Sequence, residues 1–327
     1  MNINNDIPNI KVLGVGGAGI NAVNRMIDTG MSGVEFIAID FDPSALARSK
    51  AKNILQLESI YPGLTFPEFG DPARLRNHES ALTGSNQIRM AIGKADVVFI
   101  VAGMGGGTGS GASPVIAETA KQTGALTIAV VTLPFGFEGK GRLAVAKAGL
   151  KDLCGSVDTV IVIPDEGILE IAHEKEMSLT AAFQSADDYL CLAVQCIVDL
   201  TIRPYSYPIS DSPVPSLLRS ETNKLLTGDM SVGYGTGNDR ATNAAKMVNS
   251  SPLLKRLIKE AQVVLIDLRA SPDFRLYEVG DAVDMITGGL DKNREVIWDT
   301  GIAQNLKSEI DIIAIFLYID NEDKPAD

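Results

Sequence analysis

The stretch Gly103-Met104-Gly105-Gly106-Gly107-Thr108-Gly109-Ser110-Gly111 decides how this chain is read. Six glycines in nine positions offer almost nothing to a core, so the stretch predicts a turn and not a packed element. Before it, Val97-Val98-Phe99-Ile100-Val101 is a continuous apolar, β-prone run of the kind buried in a parallel sheet. After it, Ala112-Ser113-Pro114-Val115-Ile116-Ala117 reads as the first turn of a helix, with Pro114 where a missing N–H costs nothing. Strand, glycine turn and helix N-terminus together make an anion site. Glycines let the backbone come close to oxygens, several N–H groups converge, and the helix dipole adds partial positive charge.

A second stretch of the same kind lies at the start. Residues 10–15 form an apolar strand running into Gly14-Val15-Gly16-Gly17-Ala18-Gly19, and Ile20, Val23 and Ile27 follow at helical spacing. This is G-x-G-x-x-G with a strand before it and a helix after it, and the next strand, 34–39, ends in Asp40-Phe41-Asp42. Taken alone, it suits a dinucleotide-binding oxidoreductase using Gly14 to Gly19 and Asp40. Further strands at 126–132 and 158–164 alternate with helices, which predicts a doubly wound parallel sheet with ligands at the carboxyl ends of its strands. A long helical pattern follows from Met177, and Pro204, Pro208, Pro213 and Pro215 then mark a loop. Helices at 241–248, 252–261 and 279–287 and strands at 263–268, 295–298 and 311–319 read as a smaller α+β domain. The expected divisions are 1–176 for nucleotide binding, 177–202 for a connecting helix, 203–232 for a loop region, 233–320 for the α+β domain and 321–327 for a tail.

Composition narrows the classes of function. The 327 residues are 45 % hydrophobic, enough for a sizeable core, and the net charge of −12 opposes non-specific binding to nucleic acid or anionic lipid. Cys154, Cys191 and Cys196 fit neither a disulfide framework nor a CxxC metal pair, and His78 and His173 lack ligand spacing. The N-terminus has no signal-peptide pattern and no apolar run approaches the ~20 residues that span a bilayer. A cytoplasmic protein without a membrane segment is expected.

An oxidoreductase needs only one glycine loop. Two loops at strand ends would surround a string of phosphates with backbone amides, and without G-x-x-x-x-G-K-[ST] the chain is not a P-loop NTPase. Phosphate charge would then be met by backbone dipoles and a counter-ion, Mg²⁺ held largely by phosphate and water. Residues 105–111 resemble the tubulin signature loop. With residues 14–24, the turn Pro134-Phe135-Gly136-Phe137-Glu138-Gly139 and the long helix, the chain resembles FtsZ over residues 10–318. The resemblance implies an α/β GTP-binding domain with a doubly wound parallel sheet, a central helix and an α+β C-terminal domain. It also implies GTP or GDP as ligand, longitudinal contacts of the protein with itself, and other FtsZ-like proteins as partners.

The family's binding roles carry over to Gly16, Gly17, Ala18, Gly19 and Asn21 in the first loop. In the second they carry over to Gly103, Gly105, Gly106, Gly107, Thr108 and Gly109. Pro134, Glu138 and Arg142 match the turn near the ribose and phosphates, while Phe183 and Asp187 match the aromatic and the carboxylate that take the guanine. Their i, i+4 spacing puts the last two on one helix face, and only guanine presents two donors to one carboxylate.

Three departures concern hydrolysis. The family's loop after the central helix carries Asn-x-Asp-x-x-Asp, whose acids position and polarise the attacking water at the neighbour's nucleotide. Residues 203–228 hold only Asp211 and Glu221, and the best register sets Ile209, Asp211 and Val214 against that motif. Asp211 is therefore the one candidate catalytic residue. The γ-phosphate loop is replaced by Phe66-Pro67-Glu68-Phe69-Gly70-Asp71-Pro72, and Asp40-Phe41-Asp42 stands for Asn-Thr-Asp, both adding carboxylates near the expected phosphates. The leading expectation is a nucleotide-dependent filament with slow or absent hydrolysis; the alternative is an active GTPase of cell division that hydrolyses at the subunit interface.

Overall fold

The structure, a computed structural model, describes residues 7–61, 70–202, 212–219, 225–291, 293–303 and 308–319. It comprises two compact units, one running from Pro8 to Cys191 with residues 218–225, the other taking the chain from Leu192 onward.

The first unit alternates strands and helices: β1 (Ile10–Val15), α1 (Gly16–Asp28), β2 (Val34–Asp40), α2 (Pro43–Leu46), β3 (Asn53–Gln56), α3 (Asp71–Thr83), α4 (Ser85–Ile92), β4 (Val97–Gly103), α5 (Gly107–Gln122), β5 (Leu126–Thr132), α6 (Lys140–Cys154), β6 (Thr159–Ile163) and α7 (Asp165–Glu174). Helix α8 (Leu179–Ile202) begins in this unit. Its six strands are all parallel, in the order β3-β2-β1-β4-β5-β6. The chain builds outward from β1 in one direction and then returns to build outward from β4 in the other. The crevice between those two strands is the topological switch point, where open α/β sheets bind ligands. Strands β1 and β5 are buried at every residue, as continuous apolar strands covered on both faces should be. Leu13, Val15, Ile100, Val131, Ile116 and Ala120 form the centre of that core.

Helix α5 starts earlier than expected, at Gly107 and not at 112, which leaves Pro114 in the helix interior. The reason is close packing. A Cβ on Gly109 would stand 2.2 Å from the Gly103 carbonyl oxygen, and one on Gly111 would stand 2.4 Å from that of Arg74. Half of the glycine stretch is thus a helical turn pressed on its neighbours, and the loop proper is 104–106.

The second unit contains the end of α8, α9 (Val214–Leu218) to Leu217, β7 (Leu226–Thr236), α10 (Arg240–Asn249), β8 (Val263–Ala270), α11 (Leu276–Thr287), β9 (Glu295–Ile302) and β10 (Glu309–Ile319). Strand β10 pairs antiparallel with β7 and β8, and β8 pairs parallel with β9, giving the mixed sheet that the smaller domain called for. Two readings are corrected here. The expected loop region to 232 contains most of β7, a strand running through Leu226–Thr236. The helix expected at 252–261 is replaced by a short 3₁₀ turn at Ile258–Glu260. Asp229 Oδ2 accepts from the backbone N–H groups of Lys255 (3.2 Å) and Arg256 (3.0 Å), which holds that segment out of a helix. Among the described residues no helix is long and apolar enough to cross a membrane.

Candidate functional site

Every described residue expected at the site lies in the first unit. Strands β1 and β4 are neighbours, with Val15 in register with Ala102, and each turns directly into a helix. The N-caps of α1 and α5 are Val15 and Gly106, and neither helix has a side-chain cap. The first-turn N–H groups of both helices are therefore left for a ligand, side by side and with both dipoles behind them.

The two loops touch. A Cβ on Gly103 would stand 2.7 Å from the Ala18 Cβ, and Gly16, at φ +74°, brings its own Cβ position to 3.3 Å from the Gly109 nitrogen. Gly19 has a seating role like that of Gly109, since its Cβ would stand 2.2 Å from the Val101 oxygen. Gly17 and Gly106 differ: a Cβ on either would meet nothing within 4 Å, so the cradle is open where a ligand would lie. Asn21, four residues after Gly17 and exposed, shares its helix face. The second loop is fixed from inside, with the Gly105 N–H donating to Ser110 Oγ at 2.7 Å and the Met104 N–H to the Thr132 oxygen at 2.9 Å. Asn77 of α3 stands beside Gly107, whose Cβ would lie 3.0 Å from the Asn77 amide nitrogen.

Gly105 takes φ +98°, and its Cβ position lies 3.2 Å from Pro134 and 3.1 Å from the Arg142 carbonyl oxygen. This seats the 134–142 turn against the second glycine loop. Within the turn, Glu138 Oε1 accepts from the Phe135 N–H at 2.9 Å and its other oxygen pairs with Arg142. The buried Phe135 ring meets Phe183 of α8 edge to face at 5.0 Å and stacks on Phe137 at 5.2 Å. Phe183 is 41 % exposed and Phe137 58 %. Neither is a core aromatic; together they present apolar ring surface to solvent.

One turn on, Asp187 is half-buried and makes no hydrogen bond to a described residue. Burial first, and then the charge of Asp188, raise its carboxyl to a pKa of about 7. Asp188 is tied to Arg25 of α1 at 2.5 Å, which leaves Asp187 as the open acceptor. Contacts thus run unbroken from Gly105 through Pro134 and Phe135 to Phe183.

Of the other expected residues, Asp211 and Glu68 lie outside the described residues. Val214, matched to the second acid of the hydrolytic motif, opens α9 and is fully buried. Asp71 turns to Arg74 at 2.7 Å, and Asp42 caps α2 by accepting from the Ser44 N–H at 2.8 Å. Sequence reasoning missed Phe137, for which the Phe-x-Phe spacing in a glycine turn is the available signal. It also missed the contact of Thr108 Oγ with Asp40 Oδ1 at 3.0 Å, made between residues 68 apart.

Comparison with known proteins agrees with this geometry. The description "Tubulin/FtsZ family, GTPase domain" matches residues 9–173, and "FtsZ family, C-terminal domain" matches residues 227–320. An empty FtsZ dimer from M. jannaschii is 35 % identical over 95 % of this chain and 88 % of that one, with a TM-score of 0.85. A tryptophan-to-tyrosine mutant of M. jannaschii FtsZ is 34 % identical over 95 % and 91 %, at 0.86. CetZ2 from Haloferax volcanii, in a GTPγS-bound protofilament, is 16 % identical over 95 % and 93 %, at 0.75, and shares the fold.

Proposed function

This chain belongs to the tubulin/FtsZ family, and from that premise we propose that it binds GTP or GDP in the crevice between β1 and β4. We also propose that it assembles head to tail into filaments and hydrolyses GTP slowly or not at all. The observation that carries the binding reading is the pair of uncapped helix N-termini, linked by packed residues to an exposed Phe183 and an open Asp187. Gly16, Gly17, Ala18, Gly19 and Asn21 would hold one side of the phosphates, and Gly103, Gly105, Gly106, Gly107, Thr108 and Gly109 the other. Pro134, Glu138 and Arg142 stand toward the ribose, Phe183 stacks on the base, and Asp187 accepts from its N1–H and amino group. The open cradle at Gly17 and Gly106 suits a phosphate string with its counter-ion, and Mg²⁺ would supply the charge neutralisation there.

Asp187 must be ionised to accept both guanine donors, so binding strengthens as it deprotonates. With its pKa at about 7, GDP affinity should rise about tenfold between pH 6 and pH 8. Phosphate titrates in the same window, so the curve for Asp187→Asn gives the correction and should lack this component. Equal pH dependence in both proteins would remove Asp187 from base recognition.

Assembly is supported by the M. jannaschii FtsZ dimer, and a head-to-tail contact propagates where a two-fold one closes. Slow hydrolysis is supported by the sequence of residues 203–228, in which no two acids stand three apart, and by Val214, which is buried and apolar. Light scattering and phosphate release should be followed together as protein concentration rises. Scattering is expected to grow with GTP while phosphate release stays near background. A steep, concentration-dependent release would instead favour a working GTPase with Asp211 in the catalytic role.

A further inference from the structure

We propose that Asp40 makes the phosphate crevice selective for nucleotide charge, so that this chain holds GDP in preference to GTP. The proposal rests on the nucleotide-site reading above and adds which of the two nucleotides the site favours. Asp40 closes β2, and its neighbour Ile39 is in register with Val15, which brings Asp40 level with the N-terminus of α1. The residue is 4 % exposed. Its Oδ1 accepts from the N–H groups of Phe41 (2.7 Å) and Asp42 (3.3 Å) and from Thr108 Oγ (3.0 Å). Thr108 is the second residue of α5, and a Cβ on Gly16 would stand 3.4 Å from the Thr108 Cβ. A carboxylate is thereby pinned beside the two helix N-termini that are left for phosphate. Asp42, two residues on, is turned instead to α2, where it accepts from the Ser44 N–H at 2.8 Å.

Sheet order decides which phosphate meets Asp40. The strands run β2-β1-β4-β5, and the rings assigned to the base lie by the turn after β5, where Phe135 meets Phe183. Asp40 lies beyond β1, on the side away from those rings. A phosphate string that starts at the base and crosses the crevice from β4 to β1 therefore reaches Asp40 with its last member. Diphosphate and triphosphate differ there by one phosphoryl group and its added negative charge. An exposed acid would swing into water and relieve the repulsion. Asp40 is buried and held by donors on three residues, so its charge stays in place. The tie to Thr108 adds to the effect. That hydroxyl has one proton, which the bond to Asp40 uses, and the lone pairs that remain cannot donate to a phosphate. The Asn-Thr-Asp that Asp40-Phe41-Asp42 replaces puts a neutral side chain at this position, so the selectivity is particular to this chain.

Affinities for GDP, for the β,γ-imido analogue of GTP and for the γ-methyl ester of that analogue should be measured by competition against a fluorescent GDP analogue. The full chain is used, below its assembly concentration and in constant excess Mg²⁺. The parent is expected to favour GDP over the imido analogue by about tenfold, the size of one like-charge contact in a partly wet site. The ester carries one charge fewer on its last phosphate, and although bulkier it should recover at least about threefold of that deficit. Asp40→Asn keeps an oxygen for the same three donors without the charge, and should bring the imido analogue within about threefold of GDP. The ester reads the charge effect on the parent itself, whether or not the variant folds. Parent affinity for the imido analogue equal to or tighter than for GDP, a deficit that the ester leaves undiminished, or one that folded Asp40→Asn retains, overturns the selectivity and leaves the nucleotide reading standing. Binding of none of the three ligands by the parent overturns both.

Discussion

Asp187→Ala is expected to weaken guanine-nucleotide binding by two to three orders of magnitude while leaving the nucleotide-free protein at least as stable as the parent. The first half follows from hydrogen-bond energies. Two bonds to one carboxylate, each worth roughly 1.5–3 kcal/mol, sum to about 3–4 kcal/mol at the lower end. An inosine nucleotide, which lacks the 2-amino group, should already lose about tenfold with the parent. The second half follows from the raised pKa. An Asp whose folded pKa stands near 7, against 3.8 ordinarily, is penalised for being charged in the fold. Its contribution to stability therefore worsens as pH rises from about 4 to about 7 and stays unfavourable above that. Removing the carboxylate at pH 8 removes the penalty. Calorimetric unfolding without nucleotide, run beside GDP titrations, tests both halves. A variant that lost nucleotide and stability together would mark Asp187 as a packing residue.

The second large effect separates two kinds of glycine. Gly109→Ala would drive a Cβ to 2.2 Å from the Gly103 oxygen, a backbone atom that cannot swing away. Helix α5 would have to lift from β4, at a cost of about 3 kcal/mol or more, the upper end of overpacking effects. A unit of this size should lose about 6–12 °C in unfolding temperature. Gly17→Ala meets nothing within 4 Å, so its unfolding temperature should stay close to the parent's. Its new methyl group would stand in the open cradle, and nucleotide affinity should fall without loss of fold. Thermal unfolding of both variants decides the matter, and equal destabilisation would contradict the division of roles.

The parts legible in sequence were those written in local spacing. Two glycine loops between an apolar strand and a helix specify their own geometry, and Phe183 with Asp187 share a face because they are four apart. Strand β7 was hidden because its strand character is not local. Leu226-Thr227-Gly228-Asp229-Met230-Ser231-Val232-Gly233-Tyr234-Gly235-Thr236 carries glycines and an acid that read as loop. It is a strand because β10 pairs with it along its whole length. Its glycines serve α10: a Cβ on Gly233 would stand 2.0 Å from the Ala244 oxygen, and one on Gly235 would stand 1.9 Å from that of Arg240. The 252–261 segment failed as a helix for the converse reason, because Asp229 claims its backbone from a distant strand. The Asp40–Thr108 pair was beyond any local pattern, and it appears only when β2 and β4 flank β1.

The internal fastening of the second loop, Gly105 N–H to Ser110 Oγ and Met104 N–H to Thr132, bears on how fast nucleotide comes and goes. A loop already folded has no ordering entropy to lose at encounter, and it does not wait for a rearrangement before capture. Association should therefore be quick and little changed by substitutions at the base, with differences among variants residing in the dissociation rate. For a subunit that joins a filament loaded, residence time would then set how long it remains competent to assemble.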